Sequence, residues 1–182
     1  MPRLALPLFN FPIYFYHMVM VYLSLGTNVG DRERNMALMK KKVFRFLGKP
    51  HMASRLMKTE PVGVVARQRW FYNCIISGTY SGSPTQLLAE CSNAESKLGR
   101  VRPSVRFSSR TADIDILMYG NENVKRKSLR IPHPRIRERK FCLEGLREIA
   151  PNMILPGTKL SCLDLFENMS QSVLHQKVLF IG

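Results

Sequence analysis

Asp113 and Asp115 stand two residues apart in Arg110-Thr111-Ala112-Asp113-Ile114-Asp115-Ile116-Leu117-Met118, a stretch whose isoleucines and other apolar residues suit a strand. Side chains alternate along a strand, so the two carboxylates share one face while Ile114 and Ile116 take the other. Two carboxylates that close repel each other unless a cation or a proton lies between them. Mg²⁺ is held by one or two carboxylates, with phosphate and water oxygens completing its shell, so this pattern predicts a metal site for a phosphate-bearing substrate. A bare D-x-D is more often a solvated strand face. The neighbourhood decides against that here, because residues 96–112 carry Lys97, Arg100, Arg102, Arg106 and Arg110 and no acid. Guanidinium forks are permanently charged and match phosphate oxygens in pairs. A cationic loop running into a paired-carboxylate strand supplies both partners that a metal–nucleoside triphosphate requires. A second basic segment, residues 130–140, surrounds His133 and is placed to close over the same phosphates.

The chain contains no G-x-x-x-x-G-K-[ST] loop, no G-x-G-x-x-G fingerprint and no protein-kinase signature. Phosphates must therefore be held by side chains instead of a glycine-rich backbone cradle.

The elements that position these residues follow from periodicity. Residues 19–25 read as a buried strand, followed by a turn at 26–31 in which Asp31 is placed to cap a helix. Met36, Met39, Val43 and Leu47 recur at helical spacing and predict a helix over 32–47. Residues 54–59 and 72–80 read as second and third strands. Ser83-Pro84 opens a helix with an apolar stripe at Leu87, Cys91, Ala94 and Leu98, ended by Gly99. A fourth strand over 112–119 carries the two acids. The order β-α-β-β-α-β predicts an α+β fold with a ferredoxin-like core, an antiparallel sheet with helices packed on it. After it come the Ile131-Pro132-His133-Pro134 turn, helices near 140–149 and 161–169, and an apolar segment ending at Ile181.

The chain has 182 residues, and 28 Lys+Arg against 13 Asp+Glu give a formal charge of +15. That balance predicts an anionic partner, whether nucleic acid, a phosphorylated small molecule or a membrane surface. The 45% hydrophobic content excludes a disordered chain. Cys74, Cys91, Cys142 and Cys162 are widely spaced, with no C-x-x-C and no zinc-type pairing with histidine, and read as buried thiols in a reducing compartment. Residues 1–18 are apolar but interrupted by Pro2, Pro7 and Pro12, with one charge at Arg3 and no small-residue cleavage site. They read as an extension outside a single domain over 19–182. No later apolar run approaches the roughly 18 residues that span a bilayer.

Seven segments in order give the chain its resemblance to a known family. They are Leu25-Gly26-Thr27-Asn28-Val29-Gly30-Asp31, Thr59-Glu60-Pro61-Val62-Gly63, Phe71-Tyr72-Asn73, Glu95 with Leu98-Gly99-Arg100-Val101-Arg102, Arg110-Thr111-Ala112-Asp113-Ile114-Asp115, Ile131-Pro132-His133, and Arg139-Lys140-Phe141. Over roughly residues 20–156 the chain resembles 6-hydroxymethyl-7,8-dihydropterin pyrophosphokinases (2-amino-4-hydroxy-6-hydroxymethyldihydropteridine diphosphokinases), ATP-dependent transferases of folate biosynthesis. The resemblance implies that Asp113 and Asp115 hold two Mg²⁺. It implies a pterin pocket of Thr59, Val62, Phe71, Asn73 and Phe141, with Phe107 as a cover, and an ATP site of Glu95, Arg100, Arg102, Arg110, Ile116, His133 and Arg139. Arg100, Arg110, Asp113 and Asp115 would carry the catalytic work. These roles suit the residues: a flat heterocycle with a polar rim takes aromatic faces and an amide edge, and Phe71 and Asn73 at i, i+2 offer both from one side of a strand.

The chain departs from the family at Phe107-Ser108-Ser109, where Trp-Gly-Pro or Trp-Ala-Pro is usual, at Glu60, where Pro is common, and at Pro134. The expected reaction is attack of the pterin hydroxymethyl oxygen on the β-phosphorus of ATP, with AMP leaving and no covalent enzyme intermediate. The expected partners are the two small substrates alone, with no nucleic acid and no membrane, in a cytoplasmic monomer or dimer. Two other readings stay open on the residues alone. One is a basic ferredoxin-like RNA-binding module, which lacks the RNP1 pattern and leaves the acids unexplained. The other is an ATP-binding pseudoenzyme, suggested by the altered 107–109 segment.

Overall fold

The computed structural model of the chain describes residues 18–63, 68–100 and 109–182. The expected N-terminal extension up to residue 17, and the expected site residues Arg102 and Phe107, lie outside the described residues.

Chain order is β1 (Val19–Thr27), α1 (Arg32–Val43), β2 (Gly48–Ala53), β3 (Leu56–Thr59), β4 (Phe71–Tyr80), α2 (Pro84–Ser96), β5 (Asp113–Tyr119), β6 (Val124–Lys125), β7 (Arg130–Ile131), α3 (Lys140–Ile149), α4 (Cys162–Glu167), α5 (Gln171–Leu174) and β8 (Val178–Ile181). The main sheet runs β5-β1-β4-β3-β8, with β2 also paired to β4, and every pairing is antiparallel. β6 and β7 form a separate two-stranded ribbon.

Both expected helix starts hold, and for the expected reasons. The Asp31 carboxylate accepts the Arg34 amide at the head of α1, and Ser83 with Gln86 closes a capping box at α2 with Pro84 in the first turn. Several boundaries differ from the sequence reading. The helix expected over 32–47 ends at Val43, and residues 44–47 continue as a tight turn that still buries Leu47. The strand expected over 54–59 begins at Leu56, and just before it the Ser54 hydroxyl accepts the Ile75 amide. β2 was not expected at all: Gly48–Ala53 has no fully buried position, and its register on β4 shifts between Gly48 and Met52, so no period-2 pattern marks it. The helix expected over 161–169 is α4 and is followed by the separate turn of α5.

Helices cover both faces of the sheet. α1 and α2 pack Met36, Met39, Val43, Leu87 and Cys91 on Val21, Leu23, Leu25, Ile114 and Ile116. α3 and α4 pack Cys142, Leu143, Leu146 and Leu165 on Met57, Ile75 and Met118. α3 lies close to β4 because Gly145 carries no side chain: a Cβ there would stand 2.8 Å from the Ile75 Cβ. All four cysteines are free and buried, as expected. Among the described residues no helix is long and apolar enough to cross a membrane.

Candidate active site

The site is built where β1, β4 and β5 end together. Gly26 near the end of β1 lies between Asn73 on β4 and Asp113 on β5, each its register partner. A Cβ on Gly26 would sit 2.8 Å from the Asn73 Oδ1, so the glycine is what lets that buried amide lie across the strand. The Asn73 Nδ2 donates to the Thr59 hydroxyl at 2.7 Å, tying β4 to the end of β3.

Asp113 and Asp115 share one face of β5, as the alternation predicts, with Ile114 and Ile116 packed under α1 and α2. Arg110 contacts one oxygen of Asp113 at 2.5 Å and Arg100 the other at 2.8 Å. Burial raises the pKa of Asp113, and Asp115 raises it further, against the pull of Arg110 and Arg100. Asp115 pairs with Arg139 at 3.0 Å, and the His133 Nε2 stands 3.9 Å from the same oxygen. The His133 Nδ1 accepts the Arg135 amide at 3.2 Å, so a neutral ring carries its proton on Nε2, towards Asp115. Burial lowers the pKa of His133, with Asp115 opposing. The bond from Arg135 and the burial both favour a neutral ring with its proton on Nε2.

Glu95 is buried at the end of α2, where it accepts the Ile114 amide at 2.7 Å and ion-pairs with Arg100. It fixes the head of the acid-bearing strand and one arginine together. Asn28, also buried, does the same for the other arginine. Its Oδ1 accepts the Arg110 amide at 2.7 Å, and its Nδ2 reaches Gln68 and the Arg69 carbonyl at 3.3 Å each.

A cavity of about 310 Å³ opens beside these groups. Thr59, Val62, Phe71, Asn73 and Phe141 all line it, as do Arg110, Asp113 and Arg139. Val62 is 56% exposed and forms part of the rim. The Ile116 side chain is buried in the core on the α1/α2 side, so only its main chain is available to a ligand. Six lining residues were not singled out by sequence: Gln68, Arg135, Glu138, Gln176, Lys177 and Val178. Arg135 and Glu138 lie within the basic segment already noted. Gln176 and Lys177 lie some sixty residues beyond the acids, and no local pattern marks them.

The donor set suits a hard cation. Among the described residues no three His, Cys, Asp or Glu side chains gather as a ligand group. A cation here would rest on the two carboxylates, leaving its other positions to phosphate and water, the coordination Mg²⁺ accepts.

Comparison with known proteins finds a match between residues 22–151 and the family model for 7,8-dihydro-6-hydroxymethylpterin-pyrophosphokinase. The chain is 39% identical over 132 residues to a 2-amino-4-hydroxy-6-hydroxymethyldihydropteridine pyrophosphokinase of Bacillus subtilis, covering 70% of this chain and 76% of that one. It is 34% identical over 149 residues to a folate synthesis bifunctional protein of Chlamydia caviae, covering 76% of this chain and 32% of that one. In three dimensions it resembles an HPPK-DHPS solved with substrates, at a TM-score of 0.64 and 13% identity, covering 82% of this chain and 43% of the other. The chain thus spans about a third of the bifunctional relative and less than half of the bifunctional structure.

Proposed function

The chain belongs to the 7,8-dihydro-6-hydroxymethylpterin-pyrophosphokinase family, and from that membership we propose that its cleft seats ATP and the pterin on either side of Asp113 and Asp115. The reaction is transfer of the pyrophosphoryl group of ATP to the hydroxymethyl group of 6-hydroxymethyl-7,8-dihydropterin, a step of folate synthesis. The supporting observation is convergence: a cavity with aromatic and amide walls is also lined by Asp113, Arg110 and Arg139, and Asp115 pairs with that same Arg139.

The pterin ring lies between Phe71 and Phe141, and Asn73 and Thr59 meet its polar edge. Their mutual hydrogen bond holds both groups in place before the ring arrives. Arg100 and Arg110 exchange Asp113 for phosphate oxygens when the triphosphate enters, keeping their charge beside the transferring group. Arg139 keeps Asp115 oriented, and His133 donates from Nε2. Asp113 and Asp115 would hold Mg²⁺, two ions by the family resemblance, which when bound would draw electron density from the phosphate oxygens and acidify the attacking hydroxyl. Arg102 and Phe107 complete the set by sequence. The strand order β5-β1-β4-β3, with α1 and α2 on one face, supports the ferredoxin-like reading of residues 19–119, with the rest a C-terminal addition to a single domain over 19–182. The expected setting is a cytoplasmic monomer, or a dimer, with small-molecule partners only.

The deciding experiment is release of AMP from ATP in Mg²⁺, with and without 6-hydroxymethyl-7,8-dihydropterin. AMP that appears only with the pterin is the expected result. ATP binding without AMP formation would overturn this reading.

A further inference from the structure

Gln176 lies just before β8, far in sequence from the acids, yet its carboxamide brackets one residue of the site. Its Oε1 accepts the Lys140 amide at 3.0 Å, and its Nε2 donates to the Glu138 carbonyl at 2.7 Å. The residue between them is Arg139, whose guanidinium holds Asp115 and stands 5.9 Å from the centre of the Phe141 ring. Arg139 is the N-cap position of α3 and makes no capping bond of its own, so the first free amide of that helix is satisfied only from Gln176 among the described residues. A carboxamide fits because it offers an acceptor oxygen and a donor nitrogen side by side; a carboxylate supplies only the first, an alkyl group neither.

The same stretch of chain is tied to the opposite cavity wall. The Lys177 amide donates to the Glu60 carboxylate at 2.9 Å, the Glu60 amide donates to the Lys177 carbonyl at 3.3 Å, and Val178 pairs with Thr59. Lys140 Nζ adds a bond to the Leu174 carbonyl at 3.0 Å. Residues 174–178 therefore span the cavity from the Thr59 side to the Phe141 side, and Gln176 itself lines it.

We propose that Gln176 is a positioning residue for pterin binding and transfer, acting through the backbone on either side of Arg139 to aim Arg139 at Asp115 and Phe141 at the ring. This rests on the placement of the pterin between Phe71 and Phe141. Gln176→Leu removes both bonds and is expected to raise the KM for pterin about tenfold and lower kcat several-fold, with any rise in the KM for ATP, transmitted through Arg139 and Asp115, clearly smaller than that for pterin. Gln176→Glu keeps the bond to Lys140 and should recover part of the loss. Should Gln176→Leu fail to fold, Lys140→Pro deletes the same amide. The first helical position tolerates proline, and Arg139 at φ −120°, ψ 107° already has the extended backbone a following proline requires. Lys140→Ala serves as the control for the lost ammonium. A merely structural role would reduce the active fraction, and so kcat, while leaving both KM values unmoved well below the melting temperature; that result, or parallel increases in both KM values, overturns the proposal. Phe141→Ala measured alongside separates the two readings. If it raises the pterin KM and Gln176→Leu does not, only the role of Gln176 falls; if it too leaves the pterin KM unmoved, the pocket assignment falls and this proposal with it.

Discussion

Gly26→Ala tests the geometry of the site with one methyl group. The new Cβ would lie 2.8 Å from the Asn73 Oδ1 and 3.8 Å from the Asp113 Cβ. The second distance is ordinary contact, whereas the first requires the amide to retreat by roughly half an ångström or more. Asn73 has little room for this, being buried and bonded to Thr59 at 2.7 Å. Lost or stretched, that buried bond is worth about 1 to 3 kcal/mol, counting a polar group left unpaired. If the cost falls on the pterin edge, the KM for pterin rises about 10- to 100-fold. Two effects on stability oppose each other, since replacing a strand glycine by alanine recovers about 0.5 to 1 kcal/mol of chain entropy against the local crowding. The melting temperature should therefore fall by no more than several degrees while pterin binding suffers. The assay is steady-state AMP formation with each substrate varied in turn, beside a thermal melt. A pterin KM within about twofold of the parent would refute the reasoning. So would an equal rise in the ATP KM, because Asp113 is not crowded by the added methyl.

Asp113→Asn and Asp115→Asn should each lower kcat by about a hundredfold or more with pterin affinity little changed, and chelation by EDTA should abolish turnover until Mg²⁺ is restored; near-parent turnover would remove both acids from the mechanism. Glu95→Ala unpairs the Ile114 amide and one partner of Arg100, so it should cost about 3 kcal/mol and several degrees of melting temperature as well as activity, with Glu95→Gln partly restoring the melt. Gly145→Ala drives a methyl into Ile75 and should destabilise by about 1 to 3 kcal/mol, measured by urea unfolding. Burial pushes the Cys142 thiol up to about 12 and Cys162 up to about 11, and raises Cys91 further. At pH 8 these groups stay protonated and enclosed, so a thiol reagent should titrate none of the four cysteines in the native protein and all four in guanidinium.

What could be read from the amino acids alone was whatever a local period or a short motif encodes. Asp31 and Ser83 marked helix starts through their own capping chemistry, and the alternation of Asp113 and Asp115 with Ile114 and Ile116 placed the acids on one face. β2 escaped because Gly48–Ala53 is an irregular edge with no buried face, so hydrophobic period carries no trace of it. Gln176 and Lys177 escaped for a different reason. Their link to Glu138, Lys140 and Glu60 is made by hydrogen bonds across 36 to 117 residues of chain, and single polar side chains leave no periodic signal. For Glu95 the resemblance implies a place at the nucleotide, and the structure adds what no motif carries, its bonds to Arg100 and the Ile114 amide.

The same bonds explain how a strongly basic chain keeps two half-buried acids ready. Without substrate, Asp113 is neutralised by Arg100 and Arg110, and Asp115 by Arg139. Burial and the neighbouring carboxylate push the Asp113 pKa upward, and Arg110 and Arg100 pull against them. Under the proposed function a triphosphate and its metal would bring anionic oxygens to the arginines and a cation to the acids. Each ion pair broken would then be replaced by another, so that neither set of charges need be buried unpaired. The basic excess therefore has a second use beside any attraction of an anionic substrate. It keeps the site electrically balanced before the substrates arrive, so that binding exchanges partners within a preformed arrangement, and the positions of Arg100, Arg110 and Arg139 are fixed beforehand by Glu95, Asn28 and Gln176.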